Sequence, residues 1–72
     1  MACINPDGTI TQSARAVLQS LQLARSPQEL SASLGFPLFK IRSSLREMEE
    51  AGLIKKSGEQ YIITDLGREL LG

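Results

Sequence analysis

Apolar residues along this chain recur with helical period in three stretches and alternate like a strand in one. Ala14, Val17, Leu18 and Leu21 fall at i, i+3, i+4 and i+7, the stripe of an amphipathic helix, and Thr11 stands where its hydroxyl can cap the first turn. This spacing predicts a first helix over 11–23. Ahead of it, Asn5-Pro6-Asp7-Gly8 carries the proline, small polar residue and glycine of a type I turn.

Ser26-Pro27-Gln28-Glu29 combines a serine cap, proline at the first helical position and a glutamate placed to return the hydrogen bond. A short second helix is therefore expected over 26–35, with Leu30 and Leu34 inward and Gly35 ending it in a left-handed conformation. Phe36-Pro37 keeps that helix from running on, because proline disfavours helical geometry in the residue before it and suits a new start. A third helix is predicted over 37–52, with Ile41, Leu45 and Met48 inward and Ala51-Gly52 closing it.

Leu53-Ile54 and Gln60 to Thr64 are strand candidates separated by Lys55-Lys56-Ser57-Gly58-Glu59, which gives a hairpin over 53–64. Thr64 can cap a last helical turn, 64–72, through Leu66, Leu70 and Leu71. The fold class is thus mostly α with a small β-hairpin, in one domain, without repeats or a linker.

Composition narrows the chemistry. Seventy-two residues allow one core, near the lower limit for independent folding. Cys3 is a lone cysteine and histidine is missing, so the usual zinc donors are lacking and Cys3 reads as a small apolar residue. No glycine-rich phosphate loop, nucleophile elbow or carboxylate pair on separate elements is visible, so neither enzymatic activity nor a cofactor is expected. No apolar run is long enough to span a bilayer and the first ten residues lack signal-peptide character, so a cytoplasmic protein without membrane association is expected.

The charge balance is even, eight basic against eight acidic residues, whereas phosphate contacts normally draw on positive charge. Its distribution is uneven. Lys40, Arg42 and Arg46 share a stretch free of acids, Glu47, Glu49 and Glu50 follow at once, and Lys55 and Lys56 come after.

From Ser26 to Gly67 the chain resembles the winged helix-turn-helix family of transcription regulators, which includes the MarR-like and ArsR-like repressors. The matching pieces are the capped short helix ending at Gly35, the run Leu45-Arg46-Glu47-Met48-Glu49-Glu50-Ala51-Gly52-Leu53-Ile54, the basic hairpin, and Tyr61-Ile62-Ile63-Thr64-Asp65-Leu66-Gly67. The resemblance identifies no subfamily. It implies a winged helix-turn-helix with a three-helix core, whose third helix enters the major groove of double-stranded DNA by its first residues while the hairpin, or wing, reaches the backbone.

At about 100° per residue, Phe39, Ser43, Arg46 and Glu50 lie opposite the inward stripe of the third helix, flanked by Lys40 and Arg42. Arg42, Ser43 and Arg46 have the chemistry to bond bases or phosphates. They are also readable as a solvated face, with Arg46 spaced to pair with Glu50. Leu38 lies at the edge of the core stripe, whereas Phe39 on the outward face calls for thymine methyls, a protein partner or packing under a neighbouring loop. Lys55 and Lys56 fit either phosphate contact or the blunting of an edge strand, and Tyr61 reads as a packed strand aromatic.

Two functions compete. One is a DNA-binding transcription regulator using Phe39, Lys40, Arg42, Ser43, Arg46, Lys55 and Lys56, acting as a homodimer because one small module contacts little DNA. The exposed part of the first helix is then one option for the dimer contact. The other is an accessory module that binds a protein partner through Leu38, Phe39 and the outward face of the third helix, as the neutral charge suggests.

Overall fold

The computed structural model describes residue 5 and residues 7–72. Cys3 and Pro6 lie outside the described residues. The Gly8 amide donates to the Asn5 carbonyl at 3.0 Å.

Four helices and one two-stranded antiparallel hairpin follow in the order α1 Gln12–Ser20, α2 Pro27–Leu34, α3 Leu38–Glu50, β1 Ile54–Ser57, β2 Gln60–Ile63 and α4 Asp65–Leu71. Three helix starts are capped by the residues that the sequence offers. Thr11 Oγ1 accepts from the Ala14 amide, Ser26 and Glu29 complete a reciprocal capping box, and Thr64 Oγ1 accepts from the Gly67 amide. Gly35 ends α2 at φ 75°, a conformation that costs glycine little.

The α2–α3 turn is only three residues long, and the Ser31 hydroxyl fixes it by donating to the Phe36 carbonyl at 2.6 Å. At its other end α3 stops in a Schellman arrangement. The Leu53 amide donates to Met48 O and the Gly52 amide to Glu49 O, with Gly52 at φ 81°. Leu53 and Met48 are both buried, so the helix end is also an apolar contact that aims the chain into β1.

The first helix is shorter than its apolar stripe predicts, ending at Ser20 instead of continuing to residue 23. Tertiary hydrogen bonds supply the reason. The Leu21 carbonyl accepts from the Ile63 amide, Arg25 exchanges both backbone hydrogen bonds with Tyr61, and Arg25 Nε caps the Ser20 carbonyl. The segment after α1 thereby lies along β2 as a one-residue third strand, which the sequence did not reveal.

The hairpin also differs from expectation. Lys55 to Ser57 belong to β1, and only Gly58 and Glu59 make the turn. Gly58 has φ 64° and Glu59 has a negative φ, the signs of a type II′ turn, whose twist matches paired strands and so lets the ladder run to its tip.

Ala14, Val17, Leu18 and Leu21 from the first helix and its cap meet Leu30, Ile41, Leu45 and Met48 from α2 and α3, and Leu53, Ile54 and Ile63 close the core from the hairpin. Each fully buried leucine or isoleucine contributes about 1.5–3 kcal/mol relative to exposure. Leu38 is half-buried at the edge, whereas Ser44 on the inward face is buried although the apolar stripe did not include it. Among the described residues, no helix is long and apolar enough to cross a membrane.

Candidate nucleic-acid interface

Burial of Ile41, Ser44, Leu45 and Met48 fixes the rotation of α3 and turns the candidate residues outward. Phe39, Lys40, Arg42, Ser43 and Arg46 are all exposed, and Phe39 leaves 69 % of its surface in solvent. Among the described residues nothing covers most of the ring, so packing within them does not account for Phe39. Arg46 and Glu50, correctly spaced for a pair, form no ion pair among the described residues.

The two hairpin lysines part company. Lys56 pairs with Tyr61 and Lys55 with Ile62, so alternation along the strands sends their side chains to opposite faces. Lys56 and Tyr61 share the face that turns toward α3. There, Arg42, Arg46, Glu49, Lys56, Glu59 and Tyr61 line much of an open groove of about 480 Å³ between α3, the hairpin and the start of α2. Phe39, Lys40, Ser43 and Lys55 do not line it. The seven residues singled out from the sequence therefore divide into a groove set (Arg42, Arg46 and Lys56), an outward set (Phe39, Lys40 and Ser43), and Lys55 on the far face of the hairpin.

The groove is held open by fixed elements. Arg25 and Tyr61 bond β2 to the segment before α2 at 2.8 and 3.0 Å, and Tyr61 is packed against the core. At the start of α2, the Ser26 amide donates to Glu29 Oε1 at 2.9 Å. That hydrogen bond holds the Glu29 carboxyl below its ordinary pKa, with smaller contributions in the same direction from the Ser26 side chain, the Gln60 side chain and the Arg25 charge. The same small region thus joins the start of α2 to the turn end of β2. Arg25 and Glu29 were not singled out from the sequence for this role, and only the Ser26–Glu29 spacing signalled any of it.

Electrostatically, α3 runs against the arrangement that stabilises helices. Its first turn has no acid and its last turn no base; Lys40, Arg42 and Arg46 precede Glu47, Glu49 and Glu50. Cations near the positive end of a helix dipole and anions near the negative end each cost on the order of 0.3–1 kcal/mol within the terminal turns. The result is a helix whose side chains add to its own dipole, positive at the turn after α2 and negative at the start of the hairpin. A chain without net charge can present an anion-attracting end in this way.

Comparison with known proteins returns no match, whether against protein-family models, curated proteins or solved structures.

Proposed function

We propose that this chain is a winged helix-turn-helix module that docks on double-stranded DNA and performs no covalent chemistry. The reading rests on layout and surface chemistry. In it α2 and α3 form the helix-turn-helix, β1 and β2 the wing, and the amino-terminal half of α3 faces the major groove. The observation that carries it is the convergence of Arg42, Arg46 and Lys56, from two separate elements, on one open groove. Guanidinium groups so placed can fork onto phosphate or guanine edges, and Ser43 and Lys40 extend the polar surface along the helix.

Glu49 and Glu59 stand in the same groove and reduce its positive charge, which favours contact through the first turns of α3 over contact along its whole length. Titration of mixed-sequence duplex DNA at several salt concentrations tests the reading. Four phosphates neutralised by Lys40, Arg42, Arg46 and Lys56 give a log–log slope of about −3.6. Affinity no tighter than about 10⁻⁴ M at moderate salt, the weak end of non-specific binding, would end it.

A specific observation supports a second reading. Phe39 is a large apolar side chain held in solvent on the same face, and an aromatic of this kind is a common anchor for a protein partner.

A further inference from the structure

We infer that Asp7-Gly8 is a latent site of backbone modification, where aspartate converts to isoaspartate through a succinimide once the hydrogen bonds between Asn5 and Thr9 open, and that Asn5 and Thr9 hold the reaction in check in the folded chain. Asn5, Asp7 and Asp65 are the residues of this sequence whose side chains can form such a ring. Asn5 precedes proline, whose nitrogen has no proton to lose. Asp65 precedes Leu66, whose branched side chain shields the attacking nitrogen, and both are set in α4. Asp7 precedes glycine, which shields its nitrogen least, and both residues are exposed to water. The fold itself calls for that glycine, because Gly8 has φ 91°, which other residues rarely adopt.

In the reaction the Gly8 backbone nitrogen attacks Asp7 Cγ. The N–Cγ bond forms, the bond from Cγ to its hydroxyl breaks, and the hydroxyl leaves with the amide proton as water. Water then adds to either carbonyl of the five-membered ring. Breaking the N–Cγ bond restores aspartate. Breaking the bond from the Asp7 carbonyl carbon to the nitrogen leaves the chain running through Cγ, one backbone atom longer and unchanged in mass.

Both reactants are withheld in the native structure. The nucleophile has to give up its proton, and the Gly8 amide commits it to the Asn5 carbonyl at 3.0 Å. The carboxyl has to be neutral to lose its hydroxyl, and Asp7 Oδ1 accepts from the Thr9 hydroxyl at 2.7 Å and the Thr9 amide at 3.0 Å. These bonds favour the carboxylate and hold it below its ordinary pKa, the Thr9 side chain most of all. Asn5 closes the ring of bonds: its Nδ2 donates to Thr9 Oγ1 at 2.9 Å and its amide to the Thr9 carbonyl at 2.6 Å. Ile10, next in the chain, is a core residue, so an extra backbone atom at Asp7 falls beside the point where this segment is seated.

Incubation of the full chain at 37 °C and near-neutral pH, folded in buffer and unfolded in urea, tests the inference. Chromatography of protease digests separates the isoaspartyl peptide from its aspartyl twin of equal mass. The unfolded chain should accumulate isoaspartate at Asp7 and not at Asp65, and the folded chain should do so at least about tenfold more slowly, the scale of one hydrogen bond to a charged group. T9V keeps the shape and removes the hydroxyl bonds. It should speed the folded reaction about threefold or more and leave the rate in urea unchanged, whereas T9S should keep the wild-type rate in both. Thr9 is exposed, and circular dichroism checks that each variant stays folded in buffer. Equal rates for the folded and unfolded wild type overturn the inference, as does a folded T9V no faster than the wild type or an unfolded chain that isomerises at Asp65 as readily as at Asp7.

Discussion

The Thr64 hydroxyl donates to the Gly52 carbonyl at 2.6 Å, which ties the end of α3 to the start of α4 across the hairpin. The same oxygen accepts from the Gly67 amide at 3.3 Å, so one side chain caps α4 and anchors the exit of α3. Thr64→Val keeps the shape and removes both bonds. It should cost about 1–2 kcal/mol, seen as a lower urea midpoint at unchanged slope, and Thr64→Ser should recover most of the loss.

Gly67 should be intolerant of a side chain even though alanine is the better helix former by about 1 kcal/mol. A Cβ built there runs into the Leu53 carbonyl oxygen and sits 2.7 Å from Ile63 Cγ1, and neither is the free end of a flexible chain. The close approach of α4 to the hairpin therefore depends on the missing side chain. Gly67→Ala should destabilise the fold by about 1–3 kcal/mol through overpacking, against no more than a small change for an alanine at exposed Glu69. Thermal unfolding of the two variants separates these outcomes.

What could be read in advance was local. Thr11, Ser26, Glu29, Gly35 and Thr64 announce helix ends because caps act over three or four residues, and the stripes Val17-Leu18-Leu21 and Ile41-Leu45-Met48 announce the core because period alone sets which side is buried. What was hidden depends on residues far apart. Helix α1 stops early because Ile63 claims the Leu21 carbonyl, and Arg25 becomes a strand residue only because Tyr61 lies beside it. The candidate site shows the same division. The outward placement of Phe39 and Arg46 follows from helical period, but the sequence pattern puts Lys55 and Lys56 between the strands, where nothing assigns a face; the two-residue turn is what brings them into register with Ile62 and Tyr61.

The capping box should give the fold a mildly acid-sensitive element. The Glu29 carboxyl has a lower pKa folded than unfolded, because the Ser26 amide donates to its charged form. Its contribution is present above the unfolded carboxylate pKa and is lost as pH falls through the folded value. Stability measured from neutral to acidic pH should fall less over that window in Glu29→Gln than in the wild type. A parallel pair of curves would remove Glu29 as the source. Ser26→Ala removes the reciprocal bond and should cost about 1 kcal/mol at neutral pH.

On the DNA reading, the two hairpin lysines should be unequal. Lys56 lines the groove with Arg42 and Arg46, whereas Lys55 faces the other way beside Ile62. Lys56→Ala should flatten the log–log salt dependence by about 0.9, one phosphate's worth, with sequence preference unchanged. Lys55→Ala should leave the slope nearly as it was. Equal effects would mean that the hairpin lies on DNA by its edge and not by its groove face.

Phe39 and Arg46 together separate the two readings of α3, because both are exposed on its outward side and neither supports the core. If the ligand is DNA and Arg46 reads a base, Arg46→Ala should weaken binding by at least about 1 kcal/mol. Phe39→Ala should then chiefly change preference for sites containing thymine, whose methyl group is what a phenyl ring meets in the major groove. If the ligand is a protein, the order reverses. An aromatic that goes from 69 % exposed to buried on binding can be worth about 2 kcal/mol or more, whereas an arginine at the wet rim is often worth little. Arg46 should dominate with duplex DNA as the ligand. Failure of the wild type to bind duplex, joined to capture of a protein partner by Arg46→Ala and not by Phe39→Ala, would assign the surface to protein recognition instead.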